Sequence, residues 1–126
     1  MKTLLLFGAL ALSINVFAQS TVKIGNLEVM TEDLGEGMEY QWEDAMKACA
    51  DLGDGWRLPT KDELNILYVN KVKIGGFVED NIDGFAYYWS STENDSNVAE
   101  FKYFGLGKHS THNSDYVFYV RAVRTF

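Results

Sequence analysis

The chain has a single cysteine, Cys49, so no intrachain disulfide can form and the core alone must hold the fold. It has a single proline, Pro59, which excludes a proline-rich linker. Positive charge is scarce: 11 Lys and Arg stand against 18 Asp and Glu in 126 residues, a formal charge of −7. Neutralising phosphates takes clustered Lys and Arg, so nucleic acid, heparin-like polymers and anionic membrane surfaces are poor partners. Internal repeats and low-complexity tracts are also lacking. The longest apolar run, residues 4–12, continues only past Ser13 and Asn15 and is short for a transmembrane helix. Core-forming side chains are plentiful. Hydrophobic residues make up 47% and aromatics 14%, too rich for a disordered chain, and the length suits one domain.

Lys2, the apolar run and the small residues Val16 and Ala18 read as a secretory signal peptide over residues 1–18, cut after Ala18. No cysteine sits at the cut to take a lipid. The rest, 19–126, is expected to be a single exported domain, periplasmic or extracellular, with no membrane insertion after cleavage. It keeps 108 of the 126 residues, with 10 basic against 18 acidic side chains, a charge of −8.

Residues 21–30 alternate around Gly25-Asn26, as two short strands with a turn or one bulged strand would. Residues 31–39 read as an acidic loop. Residues 41–52 place Trp42, Ala45, Met46, Cys49 and Leu52 on one helical face, and Gly53 stops the helix. Thr60 and Glu63 form a capping box, opening a second stripe through Leu64, Leu67, Tyr68 and Val72. Residues 79–84 read as loop, 85–92 as strand, 93–97 as polar loop, 98–104 as strand and 105–115 as loop. Residues 116–124 read as a last strand with apolar groups on both faces. Cys49 reads as a small buried hydrophobe, because nothing nearby is arranged to lower its pKa. The order implies an α+β fold with two helices packed on antiparallel sheets and paired terminal strands.

These residues carry a family pattern. Val22-Lys23-Ile24-Gly25-Asn26 with Met30, Glu32, Asp33 and Leu34 opens it, and Tyr40, Trp42, Ala45 and Met46 continue it. Gly55-Trp56-Arg57-Leu58-Pro59-Thr60 with Glu63-Leu64 stands at its centre. Tyr88-Trp89-Ser90-Ser91-Thr92 and Val120-Arg121-Ala122-Val123-Arg124 close it. The chain resembles the Fibrobacter succinogenes major paralogous domain and the related domain that closes the Legionella collagen-like adhesin. The resemblance implies a C-type-lectin-like fold. The calcium motifs of true C-type lectins, Glu-Pro-Asn and Trp-Asn-Asp, are absent, and Ala122 stands where the family commonly has a cysteine. Cys49 is thereby left without its usual partner.

Glu79, Asn81, Asp83 and Gly84 imitate an EF-hand, but Ser90 stands where a bidentate carboxylate is needed. Asp80, Asp83, Glu93, Asp95 or Asn97 could hold calcium otherwise, or form a solvated acidic rim. No cofactor is therefore expected, and no motif supports a loop Ca²⁺. His109 and His112 offer two zinc ligands with Asp115 as the only nearby third. No metal site and no catalytic set is expected, since no nucleophile elbow frames Ser90, Ser91 or Ser110. Tyr87, Tyr88, Trp89, Phe101, Tyr103, Phe104, Tyr116 and Tyr119 pair apolar faces with polar tips, which suits sheet packing, sugar stacking or protein contact. Trp42, Trp56, Arg57, Pro59, Thr60, Glu63, Trp89, Arg121 and Arg124 are expected to be structural. The expected function is an exported, non-catalytic, adhesin-like binding module for glycan or an exported protein. Its expected ligand residues are Glu93, Asn94, Asp95, Asn97, Tyr103, His109 and His112 on long loops. The alternative is a structural or assembly protein of the cell envelope binding another exported chain through its aromatic sheet face.

Overall fold

The computed structural model describes residues 20–78, 86–95 and 97–126. The expected signal peptide and the EF-hand-like residues 79–84 lie outside the described residues. In chain order the elements are β1 (Thr21–Ile24), β2 (Leu27–Met30), a 3-10 turn (Leu34–Glu36), α1 (Trp42–Asp51), α2 (Lys61–Val69), α3 (Lys71–Ile74), β3 (Tyr87–Asp95), β4 (Val98–Tyr103), β5 (Lys108–Asn113) and β6 (Val123–Thr125). They form an α+β fold with two antiparallel three-stranded sheets, β1-β2-β6 and β3-β4-β5.

The opening segment is a hairpin, Ile24 opposite Leu27, and Gly25 supplies the left-handed φ of +59° that so tight a turn needs. The last strand adds to its second arm, with Val29 opposite Val123 and Leu27 opposite Thr125. The two ends of the domain thus meet in one sheet.

Each long helix supplies one side of a two-part core. On α1, Trp42, Ala45 and Cys49 are buried and join Met30, Trp56, Leu58, Trp89, Phe101, Phe118, Val120 and Ala122. Trp42 Nε1 donates to the Ser90 carbonyl at 2.8 Å. Met46, expected on this face, is exposed instead. On α2 the Thr60 hydroxyl accepts from Glu63 N while the Glu63 carboxylate accepts from Thr60 N, a complete capping box. Leu64 and Leu67 then pack with Val29, Tyr88, Phe104 and Val123. Val72 does not continue that stripe and is 91% exposed. The helix breaks at Asn70 (φ −102°, ψ 17°), so the 3.6-residue period restarts in α3 and buries Ile74 instead.

Three boundaries differ from those expected. Residues 93–95 are strand rather than loop: β3 runs on to Asp95, past irregularities between Trp89 and Glu93 and between Glu93 and Asp95, and Asn97 stands in the turn before β4. Residues 105–115 are not one long loop either, because Lys108–Asn113 pairs along all six residues of β4 as β5. This edge strand has solvent over most of its side chains, so it lacks the apolar alternation that announces a strand. Residues 116–122 are not a regular strand. They run between two neighbours, with Phe118 bridged to Tyr40 and Tyr119 to Tyr88, and only Val123–Thr125 enters a sheet.

A buried ion pair locks the junction of these parts. The Arg121 guanidinium, with no exposed side-chain surface, donates from Nε and Nη2 to Asp33 Oδ1 at 3.0 and 2.7 Å. Its Nη1 donates to the Met30 and Gly75 carbonyls, and it lies 3.8 Å from the Phe77 ring centroid. Tyr88 donates to Asp33 Oδ2 at 2.7 Å and accepts from Val78 N. Gly76 must lack a side chain here, since a Cβ would collide with the Thr31 carbonyl.

Candidate functional site

The register of the second sheet sets Tyr87, Tyr103 and Lys108 side by side, then Trp89, Phe101 and Ser110, on one face. His112, opposite Ala99, shares that face. Trp89 and Phe101 are buried beneath Phe118, with centroids at 4.5 and 4.9 Å. The rings at the edge of this packing stay partly open. Tyr87 contacts Phe101, Tyr103 and Phe118 at centroid distances of 4.8, 5.2 and 5.0 Å. His112 stacks on Tyr116 at 3.7 Å.

The 114–118 segment reaches this face because it pairs with the chain entering α1. Tyr40 and Phe118 exchange backbone hydrogen bonds of 2.8 and 3.0 Å, and Trp42 N donates to the Ser114 carbonyl. Gln41 Nε2 donates to the Asp115 carbonyl at 3.0 Å. Between the two strips lies a cleft of about 290 Å³, lined by Glu39, Tyr87, Tyr116, Val117 and Phe118. Tyr116 is 52% and Val117 46% exposed, large apolar surfaces held open on a rigid floor. No described residue hydrogen-bonds or ion-pairs the Glu39 carboxylate.

Three of the seven expected ligand residues, Tyr103, His112 and Glu93, the last opposite Ala99, fall on this face by register. Glu93, Asn94 and Asp95 end β3 in solvent, and Asn97 sits in the β3–β4 turn, its carbonyl accepting from Ser114 N. None of these four lines the cleft. His109 projects from the opposite face, beside Lys102. Burial first, then Lys102 and Lys61, draw its imidazole below the usual 6.5. Three residues apart on a strand, His109 and His112 point to opposite sides and cannot grip one ion together. Of the expected calcium ligands, Asp80 and Asp83 lie outside the described residues.

A second concavity, about 470 Å³, is lined by Glu32, Asp33, Glu36, Gly37, Gly76 and Val78. Its innermost carboxylate is already held by Arg121 and Tyr88, so it belongs to the structural lock. Other polar side chains are likewise engaged structurally. Arg57 forms a bidentate pair with Glu63 at 2.6 and 2.9 Å, and Arg124 pairs with Glu28 while lying over Trp56. Cys49 is fully buried, and burial pushes its thiol up to about 12.

Sequence reasoning singled out Tyr87 and Tyr116 only as aromatics and missed Glu39, Val117 and Phe118 as cleft walls. The available signal was the Tyr116-Val117-Phe118 run directly after a polar stretch, which leaves more apolar surface than one buried face can absorb.

The model of the Lcl C-terminal domain family matches residues 19–124. The chain belongs to the Lcl C-terminal domain family. The matched span holds every described helix, both sheets but for Thr125 at the end of β6, and every cleft residue. Membership makes this Lcl C-terminal domain a binding or structural module, consistent with its relation to the Legionella collagen-like protein. No curated protein matches the chain. Among the described residues, no helix is long and apolar enough to cross a membrane.

Proposed function

We propose that this domain is an exported, non-catalytic binding module of C-type-lectin-like fold. It recognises a glycan or an exported protein through the open aromatic corner of its second sheet, not through long loops. The carrying observation is the cleft itself: exposed Tyr116 and Val117 beside Tyr87, on a floor fixed by Phe118 and Phe101. Tyrosine at such a place offers a ring to stack against and a hydroxyl to orient the contact, with little entropy lost on binding. The loop reading loses support because residues 108–113 are committed to a strand. Export is supported by the signal-like residues 1–18, which precede the family match.

Glycan arrays and pull-downs from the cell envelope, run with wild type and Tyr116→Ala, test this. Capture that depends on Tyr116 is expected. Equal capture by both proteins, or silence on both platforms at high protein concentration, would count against the aromatic face. The second reading, an assembly protein of the envelope, uses the same face and is favoured by exposed Val117, an aliphatic side chain that no sugar requires.

A further inference from the structure

We infer that the cleft lined by Glu39, Tyr87, Tyr116, Val117 and Phe118 takes a cationic side chain, lysine or arginine, from an exposed segment of a partner protein. The inference rests on the aromatic face being the recognition surface and adds the chemistry of its occupant.

Three observations carry it. First, the walls are ring faces, and an ammonium or guanidinium held over a tyrosine or phenylalanine face is attracted by the ring quadrupole. These rings are pre-positioned: Tyr116 is stacked on His112, and Tyr87 is braced by three neighbouring rings. Little ordering is left for the ligand to bring about. Second, the Glu39 carboxylate stands at the cleft with no described partner, so a cation entering beside the rings meets a free counter-charge. Third, the surrounding charge has one sign. The strips that form the walls, residues 36–44 and 114–119, contain Glu36, Glu39, Glu43, Asp44 and Asp115 and no lysine or arginine. The sheet register places one cation on this face, Lys108, across from Tyr103. A phosphate or sulfate would meet repulsion here. A neutral sugar would stack on the same rings, but its binding would not respond to salt.

The test is amide chemical-shift mapping of the ¹⁵N-labelled protein. The probes are a short peptide with one central lysine, the same peptide with that lysine acetylated, and a neutral chito-oligosaccharide. The lysine peptide is expected to move the Tyr116, Val117 and Tyr87 amides, and the acetylated peptide to leave them in place. Glu39→Gln and Tyr116→Ala should each weaken binding about fivefold, since each removes one of two modest attractions. Raising salt from about 0.1 to about 1 M, which shortens the Debye length from roughly 10 to 3 Å, should weaken it similarly. Lys108→Gln should tighten binding, and Asp62→Asn, beside His109 on the opposite face of the sheet, should leave it unchanged. Both cleft substitutions are at exposed side chains, so the amide spectrum away from the cleft reports an intact fold. Equal shifts from both peptides, or indifference to Glu39→Gln and to salt, would overturn the inference. Shifts from the oligosaccharide alone would overturn the cation while leaving the aromatic face as the binding surface. Silence of these amides towards all three probes would overturn the inference and count against that surface as well.

Discussion

Replacing Asp33 by alanine removes the carboxylate that, among the described residues, pairs with the buried Arg121 guanidinium. Arginine cannot shed its proton in a protein, so the charge stays. Two carbonyls, of Met30 and Gly75, still accept from Nη1, and the Phe77 ring lies beneath the group at 3.8 Å, but neither neutralises it. Breaking a buried pair by removing one partner costs about 3–5 kcal/mol. The Tyr88 hydroxyl loses its acceptor as well, although it keeps the Val78 N–H as donor. A value near 4 kcal/mol is expected for Asp33→Ala, a large part of the roughly 5–15 kcal/mol available to a domain. With a urea m-value of about 2 kcal/mol/M, the midpoint should fall by about 2 M. Glu28→Ala, which breaks the more exposed pair with Arg124, should cost within about 1 kcal/mol and serves as the comparison. Equilibrium urea melts followed by tryptophan fluorescence would measure both. An Asp33→Ala loss under about 1 kcal/mol would mean that water reaches Arg121, and the lock would not be one.

Trp56→Ala should lower stability by about 3–5 kcal/mol, because the ring is buried in the core that includes Leu58 and Trp89 and its loss leaves a cavity. Near-equal urea midpoints for the two proteins would refute it. Arg57, through its bidentate hydrogen bonds, holds the Glu63 carboxyl below its usual 4.5. A lowered folded pKa gives stability that is full above the unfolded value and lost as pH falls through the folded one. The stability gap between wild type and Glu63→Gln should therefore be widest above pH 4.5 and close in more acidic solution, whereas a gap constant across that range would contradict the assignment. The Cys49 thiol, buried and raised to about 12, should resist a thiol-reactive disulfide reagent in native buffer near neutral pH and react fully in denaturant. Prompt reaction of the folded protein would place Cys49 at the surface.

Where the fold was legible, a local rule coincided with the tertiary arrangement. Gly25-Asn26 between alternating residues is a hairpin because only that turn brings Leu27 and Val29 to the core side. The spacing of Trp42, Ala45 and Cys49 gave α1, and Thr60 with Glu63 gave the start of α2 to the residue. Legibility ended where local and tertiary demands parted. Val72 fits the α2 period, but the break at Asn70 resets it. The Lys108–Asn113 sequence has no strand-like alternation, because its pairing rests on backbone hydrogen bonds to β4 and hardly on side-chain burial. That omission hid the relation between Tyr103 and His112, which share a face only once β5 exists. Glu39 was invisible for a different reason. Its place beside Tyr87 and Tyr116 follows from the bridge between Tyr40 and Phe118, a contact across nearly eighty positions that no local pattern encodes.

That bridge also makes one segment serve two ends. Phe118, Val120 and Ala122 point into the core, while Tyr116 and Val117, one turn of chain earlier, stand open at the cleft. The backbone that carries them is tied on one side to Tyr40 and on the other, through Tyr119, to Tyr87 and Trp89. The cleft floor is therefore core, and its rim is surface. Shortening Phe118 should destabilise the whole domain and spoil the cleft together, because the same ring packs on Trp89, Phe101 and Tyr87. Changing Glu39 or Tyr116 touches only the rim, so ligand preference can change there with small effect on stability. A fold that keeps its rings fixed and its rim free can keep one architecture while changing what it recognises.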